Sequence, residues 1–125
     1  MKIQAKKSER FLIPGDPDKA YIEIKTLTPG QQRKIIDKCF IMANGADGLM
    51  TQAIDTEKQR AMTIKFSFTG FGGFKDELGK TLDYNVENVF LLFEKLTGFK
   101  EFFDAKMATM IEKEDLQIKA EEKNL

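Results

Sequence analysis

Apolar and polar residues alternate near the start of the chain. In Tyr21-Ile22-Glu23-Ile24-Lys25 the two isoleucines fall on one side and the charged residues on the other, the period of two expected of a strand with one covered face. Phe11-Leu12-Ile13 reads as its partner strand. Pro14-Gly15-Asp16-Pro17-Asp18 between them suits a turn, because proline presets φ while glycine and aspartate accept the bend. Thr28-Pro29-Gly30-Gln31 then carries a capping-box pattern, with a threonine hydroxyl for the free amides, proline at the first helical position and glutamine three residues after the cap. It predicts a helix from about Gly30 to Ala43, with Ile35, Ile36, Cys39, Phe40 and Ala43 forming a stripe toward the sheet and Asn44-Gly45 as a left-handed stop.

Residues 46–59 are mixed and polar and read as a connection with only weak helical character. Met62, Ile64, Phe66 and Phe68 next alternate with Thr63, Lys65, Ser67 and Thr69, which favours a third strand, although Ala61, Ile64 and Phe68 also share one helical face. Gly70-Phe71-Gly72-Gly73-Phe74 interrupts regular structure, Asp76 to Lys80 reads as a polar turn, and Asn85 can cap a helix over Val86 to Leu96. Five consecutive apolar residues, Val89 to Phe93, cover the whole circumference of that helix, so it is either deeply buried or shared with a partner. Thr97-Gly98 ends it. A last helix from Phe99 carries Phe99, Phe103, Met107, Met110 and Ile111 at spacings of three and four, with Phe102 beside the stripe. Charge dominates over residues 112–125, which predicts a frayed end or a solvated helix. The fold class expected is α+β: a small antiparallel sheet, made of the N-terminal hairpin plus a third strand, packed against three to four helices. One domain over residues 1–125 is expected, with residues 1–9 as a basic arm.

Composition sharpens this picture in three ways. Phe 11, Tyr 2 and Trp 0 make phenylalanine the main source of buried surface, without polar groups to satisfy. Lys+Arg and Asp+Glu are both 20, so the net charge is zero and a general electrostatic attraction to nucleic acid is absent; only Lys2, Lys6, Lys7 and Arg10, against Glu9, could touch phosphate. A single cysteine, Cys39, excludes an internal disulfide and fits a reducing compartment. No apolar run has the length to span a bilayer, and the opening MKIQAKKSERFLIPG lacks the apolar middle of a secretory signal, so a cytoplasmic protein is expected.

Candidate chemistry is sparse. With no histidine, Ser-His-Asp and Cys-His arrangements and the commonest metal ligand are all missing. Cys39 lies on an apolar stripe without an evident base and reads as a core thiol. Gly79-Lys80-Thr81 ends like a phosphate-binding loop, but five residues separate Gly73 from Gly79 where that loop has four, and Asp76 and Glu77 would meet the phosphate with like charge. Gly70, Gly72 and Gly73 make an equally poor dinucleotide fingerprint. Asp16 and Asp18 suit turn chemistry better than calcium, and Glu112, Glu114 and Asp115 belong to a charged run. No catalytic residue, cofactor site or metal site is expected.

Several fragments together resemble the tail assembly chaperones of long-tailed bacteriophages: Phe11-Leu12-Ile13-Pro14-Gly15-Asp16-Pro17, Tyr21 to Lys25, and Leu27-Thr28-Pro29-Gly30-Gln31 entering a helix. Asp76-Glu77-Leu78-Gly79-Lys80-Thr81-Leu82 is similar to an Asp-x-x-Gly-Lys-Pro-Leu stretch of that group. Asn85-Val86-Glu87-Asn88 and Glu122-Lys123-Asn124 add to the likeness. Thr81 stands where proline is common and Phe71 where tryptophan is frequent. The resemblance spans most of the chain and implies a non-enzymatic protein of the host cytoplasm that keeps the tape-measure protein soluble and helps recruit tail-tube subunits. A structural tail or neck component retained in the virion is the competing function.

For such a role the last helix offers Phe99, Phe102, Phe103, Met107, Met110 and Ile111 as partner contacts, for a client or for self-association, since Met and Phe give adaptable apolar surface. Packing of the same stripe on the sheet is the equally weighted alternative. Replacement of Cys39 by Ala is expected to cost about 1–2 kcal/mol of stability, as for a small buried side chain, and to leave function intact; urea melts paired with a client-binding assay check both halves.

Overall fold

The computed structural model describes residues 5–123 and shows an α+β chain. In order along the chain, its elements are β1 (Glu9–Leu12), β2 (Tyr21–Ile24), α1 (Pro29–Cys39), β3 (Phe40–Asn44), β4 (Met50–Ile54), α2 (Thr56–Ser67), β5 (Phe68–Gly72), α3 (Val86–Lys95) and α4 (Phe99–Lys123). Residues 5–26 and 68–123 form one compact unit. Leu27–Ser67 form a second.

The first unit is built on an antiparallel sheet of order β1-β2-β5. The alternation seen in the sequence is realised in β2, where Ile22 and Ile24 are fully buried and Tyr21 and Glu23 lie on the other face. On that outer face Arg10, directly across from Glu23 in the register, donates to its carboxylate at 2.6 and 3.0 Å and lies 3.9 Å over the Tyr21 ring. The turn before β2 is held by its own side chain: Asp16 Oδ2 accepts from the Ala20 amide at 2.8 Å. β5 enters with a bulge, since the register shifts between Glu23 and Ile24 and leaves Thr69 without an opposite residue.

Phenylalanine supplies the core of this unit. The Phe68 ring stacks on Phe103 at 5.3 Å and meets Phe93 edge-on at 5.9 Å, while Phe93 contacts Phe99 at 4.8 Å and Phe103 at 5.4 Å, both edge-on. These pairs join β5, α3 and α4, each adding about 0.5–1.5 kcal/mol beyond area burial. Asn85 caps α3 as expected, its side chain accepting from the Asn88 amide, and none of the five apolar residues from Val89 to Phe93 is exposed. Gly98, at φ +81°, separates α3 from α4.

The second unit contains α1, the β3–β4 ribbon and α2, with α1 packed on α2. The capping box at Thr28 and Gln31 forms in both directions, with bonds of 3.0 and 3.1 Å. Cys39 is buried against Met62, sulfur to sulfur at 3.8 Å.

Four expectations are corrected here, the first two being that residues 46–59, read as a connection, hold β4 and the start of α2, and that Gly70 to Gly72, read as an interruption, belong to β5. α1 ends at Cys39 and not at Ala43, because residues 40–44 pair with residues 50–54 and the Cys39 carbonyl accepts from the Asp55 amide at 2.8 Å. Asn44-Gly45 therefore opens a hairpin turn and stops no helix; Asp47 Oδ1 holds the Leu49 amide and Gly48 takes φ +78°. Residues 62–67 are helical, and the third strand begins only at Phe68. The helix wins because Asp55 caps it, its carboxylate accepting from the Lys58 amide at 3.1 Å, and because Glu57 to Met62 are mostly strong helix formers.

Gly73 adopts φ +80° with its missing Cβ position only 2.7 Å from the Ala20 Cα, so side chain and conformation are both refused. Gly73→Ala is expected to cost about 2–4 kcal/mol, combining left-handed strain with a backbone clash. Gly98→Ala, left-handed but facing open space, should cost about 1–2 kcal/mol. Urea denaturation of the two variants side by side measures the difference.

Candidate interaction surfaces

The charged end of the chain is helical. α4 continues to Lys123, and its core-facing stripe changes character along the way, from Phe99, Phe103, Met107 and Met110, all buried, to Glu114, Gln117 and Glu121. Glu114 is the pivot of that change. Its Oε1 accepts from the hydroxyl of buried Thr26 at 2.5 Å, and its Oε2 accepts from Lys6 Nζ at 2.9 Å. One carboxylate thus ties the segment before β1 and the residue just beyond β2 to the distal half of α4. Burial by itself pushes the Glu114 carboxyl up, but the Thr26 hydroxyl and the hydrogen bond and charge of Lys6 outweigh it and hold the group below the ordinary glutamate value.

Beside this junction runs a groove of about 780 Å³, lined by Ala5, Lys6 and Glu9 on one side and by Met110, Lys113 and Ile118 on the other. Its rim carries both signs of charge, and Lys113 reaches Glu9 at 3.7 Å. Ile111, Leu116 and Ile118 are each about half exposed along this part of the helix. Ile111 and Ile118 stand seven residues apart and so share a face.

The six contact residues expected from the sequence therefore divide. Phe99, Phe103, Met107 and Met110 are all buried core side chains, the second of the two readings weighed above, and β5 and α3 bring Phe68 and Phe93 against Phe99 and Phe103. Ile111 is exposed. Phe102 is partly covered, with Lys106 Nζ lying 5.5 Å over its ring and 5.4 Å over that of Phe11.

A second apolar surface, in the other unit, escaped the sequence reading. One face of the β3–β4 ribbon carries Phe40, Met42, Met50 and Ile54, all exposed. The signal that could have found it is Asp47-Gly48 between two short apolar runs, a standard hairpin pattern.

The motifs weighed as chemistry are occupied locally. The Leu78 and Lys80 amides of the Gly79-Lys80 turn are both bound by the Asp76 carboxylate at 2.9 Å, so the loop's donors are taken by its own acid. Lys75 pairs with Asp18 at 3.2 Å. Among the described residues no group of three or more His, Cys, Asp or Glu is placed to hold a metal ion, and no helix is long and apolar enough to cross a membrane.

The sequence matches no protein-family model, no curated protein and no solved structure.

Because the carboxylate form of Glu114 is favoured in the folded chain, its contribution to stability is complete above the ordinary glutamate pKa and is lost as pH falls through the lowered folded value. Glu114→Gln should abolish that part of the acid slope, leaving a smaller fall in Tm between neutral pH and the region below the glutamate range than the unaltered chain shows. Thermal melts of both proteins across that range provide the comparison.

Proposed function

We propose that this chain is a non-enzymatic tail assembly chaperone of a long-tailed bacteriophage, working in the host cytoplasm, which holds the tape-measure protein soluble and helps bring tail-tube subunits to it. The motifs from Phe11 to Gln31 and from Asp76 to Asn88 support this reading through their resemblance to that group. The observation that carries it is the distal half of α4. There a helix with exposed Ile111 and Ile118 at heptad spacing borders a groove in which Met110, Leu116 and Ile118 alternate with residues of both charges. Such a surface suits an amphipathic helix laid along it, and a long, largely helical client offers many equivalent segments to it. Rim charges of both signs set register and orientation more than affinity.

Nucleic acid fits the arm less well, since Lys6 and Arg10 are engaged by Glu114 and Glu23. Co-expression of this chain with the tape-measure protein of the same phage, followed by pull-down of the soluble fraction, tests the reading; mass spectrometry of purified virions separates a chaperone, absent from the particle, from a tail or neck component, present in it.

Ile111→Glu and Ile118→Glu are expected to reduce the amount of soluble client recovered while changing stability by no more than about 0.5 kcal/mol, as for other exposed positions. Phe102→Glu should lower both client recovery and Tm, because its ring is packed beside Lys106 and partly covered. Undiminished recovery with both isoleucine variants would remove the distal α4 surface from the binding site.

A further inference from the structure

The β3–β4 ribbon is a two-stranded sheet with no third strand among the described residues. Its register is regular, Phe40 opposite Ile54, Met42 opposite Gln52 and Asn44 opposite Met50, without a bulge. Gly45 donates to Leu49 and Asp55 donates to Cys39 at the two ends of the ladder. Alternation between those bonds gives Ile41–Ala53 and Ala43–Thr51 as the hydrogen-bonded pairs, so the amides and carbonyls of Met50, Gln52 and Ile54 point outward from β4.

That edge has none of the usual protections. β4 reads Met50-Thr51-Gln52-Ala53-Ile54, with no lysine, no proline and no charge of either sign, and across residues 40–54 the only charged side chain is Asp47 in the turn. Six side chains of the hairpin, Phe40, Ile41, Met42, Leu49, Met50 and Ile54, are 46–66% exposed. Four of them, Phe40, Met42, Met50 and Ile54, share one face of the ribbon.

We infer that β4 is a self-association edge, where two copies of this chain pair antiparallel about Gln52 and join their ribbons into one four-stranded sheet. The sequence of β4 is complementary to itself in that register. Gln52 meets Gln52 of the second copy, and Met50 of each meets Ile54 of the other. These three positions also carry the outward backbone groups, so main-chain bonds and side-chain contacts are satisfied by the same alignment. On the shared face Met50 and Ile54 from both copies become neighbours, flanked by Phe40 and Met42 of each ribbon. With no charge in the strand, nothing in it opposes its own copy; pairing β3 with itself about Met42 would instead set Phe40 against Asn44. This pairing is independent of the chaperone reading, because it concerns the other compact unit and no client takes part.

Sedimentation equilibrium of the chain alone, over a range of concentrations, should show a monomer–dimer equilibrium. Gln52→Lys and Met50→Lys, both at exposed positions and checked for unchanged melting, should weaken the dimer by roughly tenfold or more through like charges brought face to face or a lost apolar contact. In a Cys39→Ala background, Gln52→Cys should trap a disulfide-linked dimer under mild oxidation, since facing hydrogen-bonded residues lie about 5.5 Å apart at Cα, within disulfide range. Thr51→Cys, on the other face and two register positions from its copy, should cross-link poorly. A chain that stays monomeric at every concentration overturns the inference. So does a dimer that neither lysine weakens, or one in which Thr51→Cys is trapped as readily as Gln52→Cys.

Discussion

Phe68 is the contact on which the first compact unit depends. It is the first residue of β5, and its ring lies against Phe93 of α3 and against Phe99 and Phe103 of α4. β5 is hydrogen-bonded to β2, the central strand, so a single aromatic cluster holds the sheet and both C-terminal helices in register. Rings without polar groups can be packed this way at no hydrogen-bonding cost, which suits a chain with eleven phenylalanines and no tryptophan. Gly73 lets the chain leave β5 close to the Ala20 backbone, where any side chain would push the strand away from its neighbour.

The cluster also sets what α4 can offer to a partner. Phe99, Phe103, Met107 and Met110 are used up by the core, and the stripe they form runs out at Glu114. From there the helix is held by a polar junction, Thr26 and Lys6 on one carboxylate, and not by apolar packing. A helix fixed at its root by aromatics and farther along by polar contacts, Thr26 and Lys6 on Glu114 and Glu9 on Lys113, leaves Ile111 and Ile118 exposed. The proposed client contact uses surface that folding did not consume.

The ribbon obeys a different constraint. A two-stranded hairpin is marginal by itself and keeps two open edges. Here the edge residues are neutral and mostly apolar, whereas a strand meant to stay single is ordinarily protected by charge or proline. Self-pairing through β4 and client binding along α4 draw on residues of different units.

Local chemistry was readable wherever a residue's role is set by its immediate neighbours. The capping box at Thr28, the cap at Asn85, the Pro14 to Asp18 turn, the alternation of Ile22 and Ile24, and the α+β class all follow from short-range rules, and all are present in the structure. Residues 40–67 were not readable in the same way. Phe40 to Ala43 fit a helix as well as a strand, and Met62 to Phe68 fit a strand as well as a helix, because short apolar runs satisfy both periods. Pairing between residues 40–44 and 50–54 decided the first case, and the Asp55 cap ahead of a helix-forming run decided the second. The candidate contacts on α4 divided for a related reason. Periodicity shows that Phe99, Phe103, Met107 and Met110 share a face, but only tertiary packing, with Phe68 and Phe93 arriving against Phe99 and Phe103, makes that face interior, while Ile111, one position beyond Met110, is left outside.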